Sequence, residues 1–244
     1  MKTLRVMSTT PENNKSGKHE LKHYYDLATT HNADILLLPS SFMPYYKNSS
    51  AYYTKQDIDN LPSLLKDDNT LVVVGVNERE DNNTNFYKAV VAFKQSGILL
   101  HRRKKDLENH YIEKGFIPGD EDSKMHIEYN GLKINILECY ESMFAKNWYG
   151  NPDVVLVSIG FGMKAKTQNY DCDYFTQWMT ILQSFCIQMK CACITSCNGQ
   201  HEDFMTIACT HSGEVIAMAK STGLFIVDIP LVYRKEKDPY EQKC

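Results

Sequence analysis

Three short stretches of the sequence carry residue types that suit nucleophilic catalysis. Residues 38–42 read Leu-Pro-Ser-Ser-Phe, residues 100–107 are rich in cations, and residues 136–141 hold a cysteine between two glutamates. A cysteine thiol can attack an acyl carbon, and a nearby lysine can stabilise the negative oxygen that then develops. The first and third stretches end apolar runs, so we expect them at strand ends, where a rigid sheet positions catalytic groups.

The order and rough separation of these motifs resemble the nitrilase superfamily of carbon–nitrogen hydrolases. That family has a Pro-Glu-x-Phe pattern, an Arg-Lys-x-His-Leu pattern before a Pro-Gly-Asp loop, and a cysteine followed by an aromatic residue and an acid. The matching positions here are Pro39, Phe42, Arg103, Lys104, Leu107, Pro118, Gly119, Asp120, Cys139, Tyr140 and Glu141. Each motif alone is weak, but together and in order they cover nearly the whole chain.

The resemblance implies a role for each matched site residue. Cys139 would be the nucleophile that forms a thioester-type acyl-enzyme, and Lys104 would stabilise the oxyanion. Glu113 would correspond to a second glutamate that orients the site in some members. Neither a metal nor an organic cofactor is implied, and the substrate would be a small molecule. With Lys104 beside it, the Cys139 thiol is expected to favour the thiolate.

The sequence departs from the family at the general base, because Ser40 follows Pro39 where a glutamate is usual. A serine hydroxyl does not accept a proton near neutral pH, and a positioned base typically contributes about 100- to 10,000-fold in rate. The candidate substitutes are Glu138 and Glu141. Strand alternation points Glu138 away from Cys139 unless the strand kinks there, and Glu141 suits a structural role better. A glutamate introduced at position 40 is expected to restore the base.

Two functions therefore stay open. The first is cysteine-dependent hydrolysis or acyl transfer on a small non-peptide amide or nitrile, weakened by Ser40. The second is a catalytically silent binding or regulatory subunit that keeps the same pocket. Retention of Cys139, Lys104 and Glu113 favours continued use of the site, whereas loss of the base favours silence.

Composition narrows the list of partners. The net charge is −3, so nucleic acid is not indicated. No apolar run reaches the roughly 20 residues of a membrane span, and the first residues do not resemble a signal peptide, so we expect a cytoplasmic protein without membrane contact. Proteins of this family commonly form dimers through the region near the nucleophile. This predicts a homodimer with Phe144, Trp148 and Tyr149 at its interface.

The eight cysteines are too sparse for a disulfide scaffold. Cys186, Cys191, Cys193 and Cys197 cluster in sequence but lack the paired C-x-x-C spacing of a zinc site, so buried, unbonded thiols are the favoured interpretation. The histidines show no metal-binding spacing either.

Hydrophobic periodicity predicts alternating strands and helices. Helices are expected over 19–31 and 171–189, and strands over 4–8, 35–38, 71–76, 89–94, 98–102, 125–129, 133–137, 154–157, 192–195, 204–209, 214–219 and 224–229. Asn32-Ala-Asp34 and Asn151-Pro-Asp153 precede similar apolar strands, which indicates two related halves. With the resemblance, this predicts an α/β fold, a four-layer α-β-β-α sandwich, as one domain over 1–232 with a loose tail over 233–244.

Overall fold

The computed structural model describes residues 3–11, 17–43, 52–80, 85–120, 124–160, 174–197, 206–219 and 223–231. The helices are α1 (Lys18–Thr30), α2 (Lys55–Asp59), α3 (Asn109–Ile112) and α4 (Tyr174–Met189). The strands are β1 (Thr3–Thr10), β2 (Ile35–Leu37), β3 (Leu71–Arg79), β4 (Phe86–Lys94), β5 (Gly97–Arg103), β6 (His126–Tyr129), β7 (Leu132–Glu138), β8 (Val154–Ser158), β9 (Ala192–Ser196), β10 (Thr206–Cys209), β11 (Val215–Ala219) and β12 (Gly223–Pro230). Each predicted strand has its counterpart here, and both predicted helices form. The tail over 233–244 lies outside the described residues.

The strands form two six-stranded sheets of the same design. The first has the order β12-β1-β2-β3-β4-β5 and the second the order β11-β10-β9-β8-β7-β6. In each sheet three consecutive strands run parallel, with antiparallel strands on both sides of them. Read from one end, β12 followed by β1 to β5 matches β6 followed by β7 to β11.

The two Asn-x-Asp turns have the same backbone conformation and the same hydrogen bond, which confirms the relation between the halves. Asn32 and Asn151 take left-handed φ values of 53° and 54°. The Asp34 side chain accepts a hydrogen bond from the Arg5 backbone N–H at 2.8 Å, and the Asp153 side chain accepts one from the Lys133 N–H at the same distance. Each aspartate thus fixes the start of its parallel strand against the preceding strand.

Three apolar clusters separate four layers. Alternate residues of both sheets, such as Val6, Val73, Ile134 and Ile136, fill the space between the sheets. One face of α1 packs on the outer side of the first sheet, and α4 packs on the outer side of the second. The molecule is therefore the expected α-β-β-α sandwich. Successive side chains along a strand face the other sheet and a helix in turn.

Trp148 does not suit the predicted role of an interface residue. Its side chain is fully buried within the chain, its Nε1 donates to the Ser142 carbonyl at 2.9 Å, and its ring packs on Phe185 with centroids 5.2 Å apart. Tyr149, in contrast, is 63% exposed. Trp148 was predicted at the interface from its position past Cys139. Local sequence does not show that it packs instead on Phe185, which lies on the distant helix α4.

Within the described part of the chain, no helix is both long and apolar enough to cross a membrane.

Candidate active site

The candidate site lies where several strands end, at one edge of the space between the sheets. Ser40 follows β2, Lys104 follows β5, Cys139 follows β7 and Gly160 follows β8. Ser40 and Lys104 are each 1% exposed and Cys139 is 8% exposed. The sandwich therefore brings together side chains that are up to about a hundred positions apart and shields them from water.

Cys139 sits at a sharp bend in the backbone. Its φ of 49° is left-handed, which a residue other than glycine adopts only under constraint from its surroundings. The Gly160 backbone N–H lies near enough to its sulfur to lower the pKa of the thiol. The bend ends β7 and begins a 3-10 turn over Cys139–Met143.

The expectation that Cys139 favours the thiolate is wrong. Burial raises the pKa of the Cys139 thiol to about 11, and the charges of Glu108 and Glu138 also raise it. The charge of Lys104 and the Gly160 N–H lower the pKa but do not outweigh burial. The thiol is therefore protonated at neutral pH and needs a base to become a nucleophile.

Lys104 is a buried cation held from both ends. Its Nζ contacts Glu108 Oε2 at 2.7 Å, its backbone N–H donates to the Lys88 carbonyl at 2.6 Å, and its carbonyl accepts from the Gly119 N–H at 2.9 Å. Burial lowers the pKa of Lys104, but Cys139 in its ionised form and the charges of Glu138 and Glu108 raise it above its usual value overall. The ammonium is therefore permanently charged, as an oxyanion-stabilising group must be.

Gly119 explains the Pro-Gly-Asp motif. A Cβ at this position would lie 2.6 Å from both the Arg103 carbonyl oxygen and the Arg103 Cβ, so only glycine allows the loop to approach this closely. The loop thereby fixes the backbone that carries Lys104.

Glu113 does not join the other predicted site residues. Its side chain is exposed at the end of α3, and the carboxylate beside Lys104 belongs to Glu108. Lys104 and Glu108 are four residues apart, a spacing that brings side chains together in a helix. The chain between them is not helical, so the pairing depends on the turn before α3.

Ser40 and Glu138 form one of the links between the two sheets. The Ser40 hydroxyl donates a hydrogen bond to Glu138 Oε1, and both residues are 1% exposed. The Ser40 backbone lies tightly on β3, since a Cβ at Gly75 would be 2.3 Å from the Ser40 Cα. Burial raises the pKa of Glu138 to about 7, although the charges of Lys104 and Lys88 and the Ser40 hydrogen bond lower it.

Lys88 is a second buried cation that sequence reasoning missed. Its ammonium donates to Ser41 Oγ and, at 2.7 Å, to Asn77 Oδ1, and it lies 4.6 Å from the centre of the Tyr111 ring. Burial lowers the pKa of Lys88 to about 8, against the charge of Glu138, which raises it. Its signal in the sequence was a lone charge inside the apolar run of β4.

Glu141 has a structural role. Arg102 binds both of its carboxylate oxygens, at 2.7 and 2.6 Å, and the backbone N–H groups of Lys105 and Glu138 donate to it at 2.9 and 3.0 Å. Burial raises the pKa of Glu141, but the Arg102 charge and these hydrogen bonds hold it below its usual value. A carboxylate occupied in this way is not available to take a proton from the thiol.

The cysteine cluster is buried, as predicted. Cys186, Cys191, Cys193 and Cys197 all lie in the apolar cluster between α4 and the second sheet. Among the residues the structure describes, no group of three or more His, Cys, Asp or Glu side chains is placed to hold a metal ion.

Comparison with known proteins identifies the fold independently. Residues 4–235 match the family model of carbon–nitrogen hydrolases. A search of curated protein sequences finds no significant match.

Solved structures of this family superimpose on nearly the whole chain. Nit3 of Saccharomyces cerevisiae, a nitrilase-superfamily member, has a TM-score of 0.73 at 13% identity, covering 93% of this chain and 90% of its own. An amidase of Nesterenkonia, also from the nitrilase superfamily, has a TM-score of 0.74 at 13% identity with the same coverage of both chains. The glutamine-dependent NAD+ synthetase of Acinetobacter baumannii has a TM-score of 0.74 at 16% identity, covering 93% of this chain and 45% of its own. At these identities the likeness establishes the architecture.

Proposed function

Because this chain belongs to the carbon–nitrogen hydrolase family, we propose that it is a cysteine-dependent hydrolase or acyl transferase acting on a small non-peptide amide or nitrile. Cys139 is the nucleophile and Lys104 stabilises the oxyanion. The observation that supports the proposal is that the buried Cys139 thiol lies near the Lys104 ammonium and the Gly160 N–H, both of which lower its pKa.

The geometry supports each part of acyl transfer. Attack by the Cys139 sulfur on the substrate carbon moves an electron pair onto the substrate oxygen or nitrogen. Lys104 supplies positive charge to that atom in a water-poor site, where such an interaction is stronger than in bulk water. Glu108 keeps the Lys104 ammonium in place through their 2.7 Å contact. The Ser40 hydroxyl cannot act as the base, so its presence at position 40 is expected to slow the reaction.

Acylation of the thiol tests this function directly. Incubation with 4-nitrophenyl acetate, followed by intact-mass measurement and peptide mapping, is expected to show one acetyl group on Cys139. Cys139→Ala should abolish that adduct. Lys104→Met should slow its formation by about 100-fold or more, the size of effect seen when one oxyanion donor is removed. Hydrolysis of a panel of small amides and nitriles then defines the substrate class.

The same cluster also supports the second candidate, a silent binding or regulatory subunit. The observation that favours it is the protonated, 8% exposed Cys139 thiol beside a serine at position 40. A wild-type protein that forms no Cys139 adduct with any activated ester would support this second function and contradict the first.

We also propose that the protein forms a homodimer, with the exposed Tyr149 and the partly exposed Phe144 at the interface near the nucleophile. Light scattering at micromolar concentration should give twice the chain mass, and Tyr149→Lys should shift the protein towards monomer. A monomeric wild type would contradict this assembly.

A further inference from the structure

We propose that Glu138 is the general base of this site and that Ser40 positions it, so that the carboxylate is supplied by the strand that carries the nucleophile. This role rests on the proposed function of Cys139. It partly compensates for the loss of rate expected from the serine at position 40.

The first argument is the direction in which Glu138 points. Ile134 and Ile136 face the space between the sheets, and Glu138 continues that face of β7. Simple alternation would send Cys139 to the helical side. The left-handed φ of 49° at Cys139 ends the regular alternation of β7, and the charge of Glu138 acts on the thiol.

The second argument is an open oxygen atom. Glu138 Oε1 accepts the Ser40 hydrogen bond, whereas Oε2 is buried and has no hydrogen-bond partner among the described residues. A buried carboxylate oxygen that no protein group contacts is costly unless a water molecule, a ligand or a reacting group meets it. Oε2 is therefore free to receive a proton.

The third argument is the balance of charge around the carboxyl. Lys104 and Lys88 favour the ionised form, and burial and Glu141 oppose it. The resulting pKa, about 7, is near the value at which a general base is most effective at neutral pH. The charged and titratable groups that face this cluster are Lys88, Arg102, Lys104, Glu108, Tyr111, Cys139 and Glu141.

The other carboxylates are less suited to the task. Glu141 is occupied by Arg102 and by two backbone N–H groups, Glu108 is bound to Lys104, and Glu113 is exposed.

The proposed sequence of steps conserves protons and electrons. Glu138 Oε2 takes the proton from the Cys139 thiol as the sulfur–carbon bond forms and the carbonyl electron pair moves to oxygen. On collapse of this intermediate, the carbon–nitrogen bond breaks and protonated Glu138 gives its proton to the leaving amine. Glu138 then takes a proton from water as the oxygen–carbon bond forms, and that proton returns to the Cys139 sulfur when the thioester breaks.

The pH dependence of Cys139 acetylation by 4-nitrophenyl acetate tests this role. In the wild type the first-order rate of adduct formation, followed by intact mass, is expected to rise through about pH 7. Glu138→Gln should lower the rate at pH 7 by about 100-fold or more and move the rise to alkaline pH, because only spontaneously ionised thiol then reacts. Glu113→Gln, the same change at an exposed position, should leave both rate and profile unchanged.

Ser40→Ala separates a positioning role from a structural one. The Ser40 hydrogen bond lowers the pKa of Glu138, so removing it should move the midpoint of the acetylation profile to higher pH while acetylation at high pH persists. This variant retains the carboxylate and also provides the test if Glu138→Gln does not fold.

The two proposals fail in different ways. Acetylation of Cys139 that is equally fast in Glu138→Gln and the wild type, or a midpoint that Ser40→Ala leaves in place, would overturn the role of Glu138 alone. Absence of any Cys139 adduct in the folded wild type would overturn the proposed function and this role with it.

Discussion

At the scale of single residues, the site contains a hydrogen bond between the two sheets. Position 40 carries a hydroxyl and position 138 carries the carboxylate that this hydroxyl contacts. The motif resemblance alone indicates only that a serine stands at position 40, where a glutamate is expected. The contact shows that an acid still lies against that position, reached from the opposite sheet.

This contact reverses the expectation that Ser40→Glu restores a base. The new carboxylate would lie against the buried Glu138, and two like charges in a desolvated site cannot both ionise. We expect Ser40→Glu to lower the free energy of unfolding by about 3 kcal/mol or more at pH 8 and to give no gain in acylation rate.

Urea denaturation at pH 8 measures that loss. Ser40→Ala is the matched control, and it should cost about 1–3 kcal/mol for the lost hydrogen bond. The exchange variant Ser40→Glu/Glu138→Ser leaves one carboxylate and should recover most of the stability. A Ser40→Glu protein as stable as the wild type would show that the two side chains do not share one space.

At the scale of elements, the two Asn-x-Asp turns position the central parallel strands on which the site is built. β2 leads to Ser40, and β8 leads to Gly160. The equivalent hydrogen bonds of Asp34 and Asp153 begin both strands in the same register, so the two strand ends meet across the sandwich, where the Ser40 N–H donates to the Ile159 carbonyl at 3.1 Å.

The two equivalent turns should contribute equally to the free energy of unfolding. Asp34→Ala and Asp153→Ala each leave a partly buried backbone N–H without its acceptor, so each should lower the free energy of unfolding by about 1 kcal/mol. Asp34→Asn and Asp153→Asn keep an acceptor oxygen and should cost less. Denaturant unfolding of the four variants measures the pairs side by side, and a large loss at one aspartate with none at the other would contradict the equivalence.

At the scale of the whole molecule, packing one sheet on the other buries an unusual set of charges. Lys88, Lys104, Arg102, Glu138 and Glu141 are each 1% exposed or less. Such groups are tolerated only where opposite charges and hydrogen bonds replace water. Folding and the protonation of this layer are therefore coupled.

The coupling predicts how stability depends on pH. The folded-state pKa of Glu138 is raised from 4.5 to about 7, so its contribution to stability is fully present below pH 4.5 and is lost as pH rises to about 7. Lys88 has a lowered pKa of about 8, so it stays charged over that window and adds no slope there.

The free energy of unfolding of Glu138→Gln should therefore increase relative to that of the wild type as pH rises from 4.5 to 7, by up to about 3 kcal/mol. Urea denaturation at several pH values measures the difference, with Glu113→Gln as the exposed control. A difference that stays constant over this range would show that Glu138 does not titrate there.

The sequence by itself determined most of the architecture. Apolar runs and polar turns predicted each of the strands and both long helices, and the repeated Asn-x-Asp turns predicted two related halves. A hairpin forms at Asn130-Gly131, a residue pair that favours tight turns, with left-handed φ values of 52° and 76°. These features are local, since they depend on backbone preferences and on which side chains leave water, and so short stretches of sequence contain them.

Only the tertiary structure decided how the site is assembled. Which carboxylate meets Ser40 and whether Lys88 is buried both depend on how one sheet lies on the other. Alternation assigns a side chain to a face of its sheet, but it does not say what lies opposite. The bend at Cys139 shows the limit most clearly, because one left-handed residue ends the regular alternation of β7 at the nucleophile position, and no strand pattern predicts it.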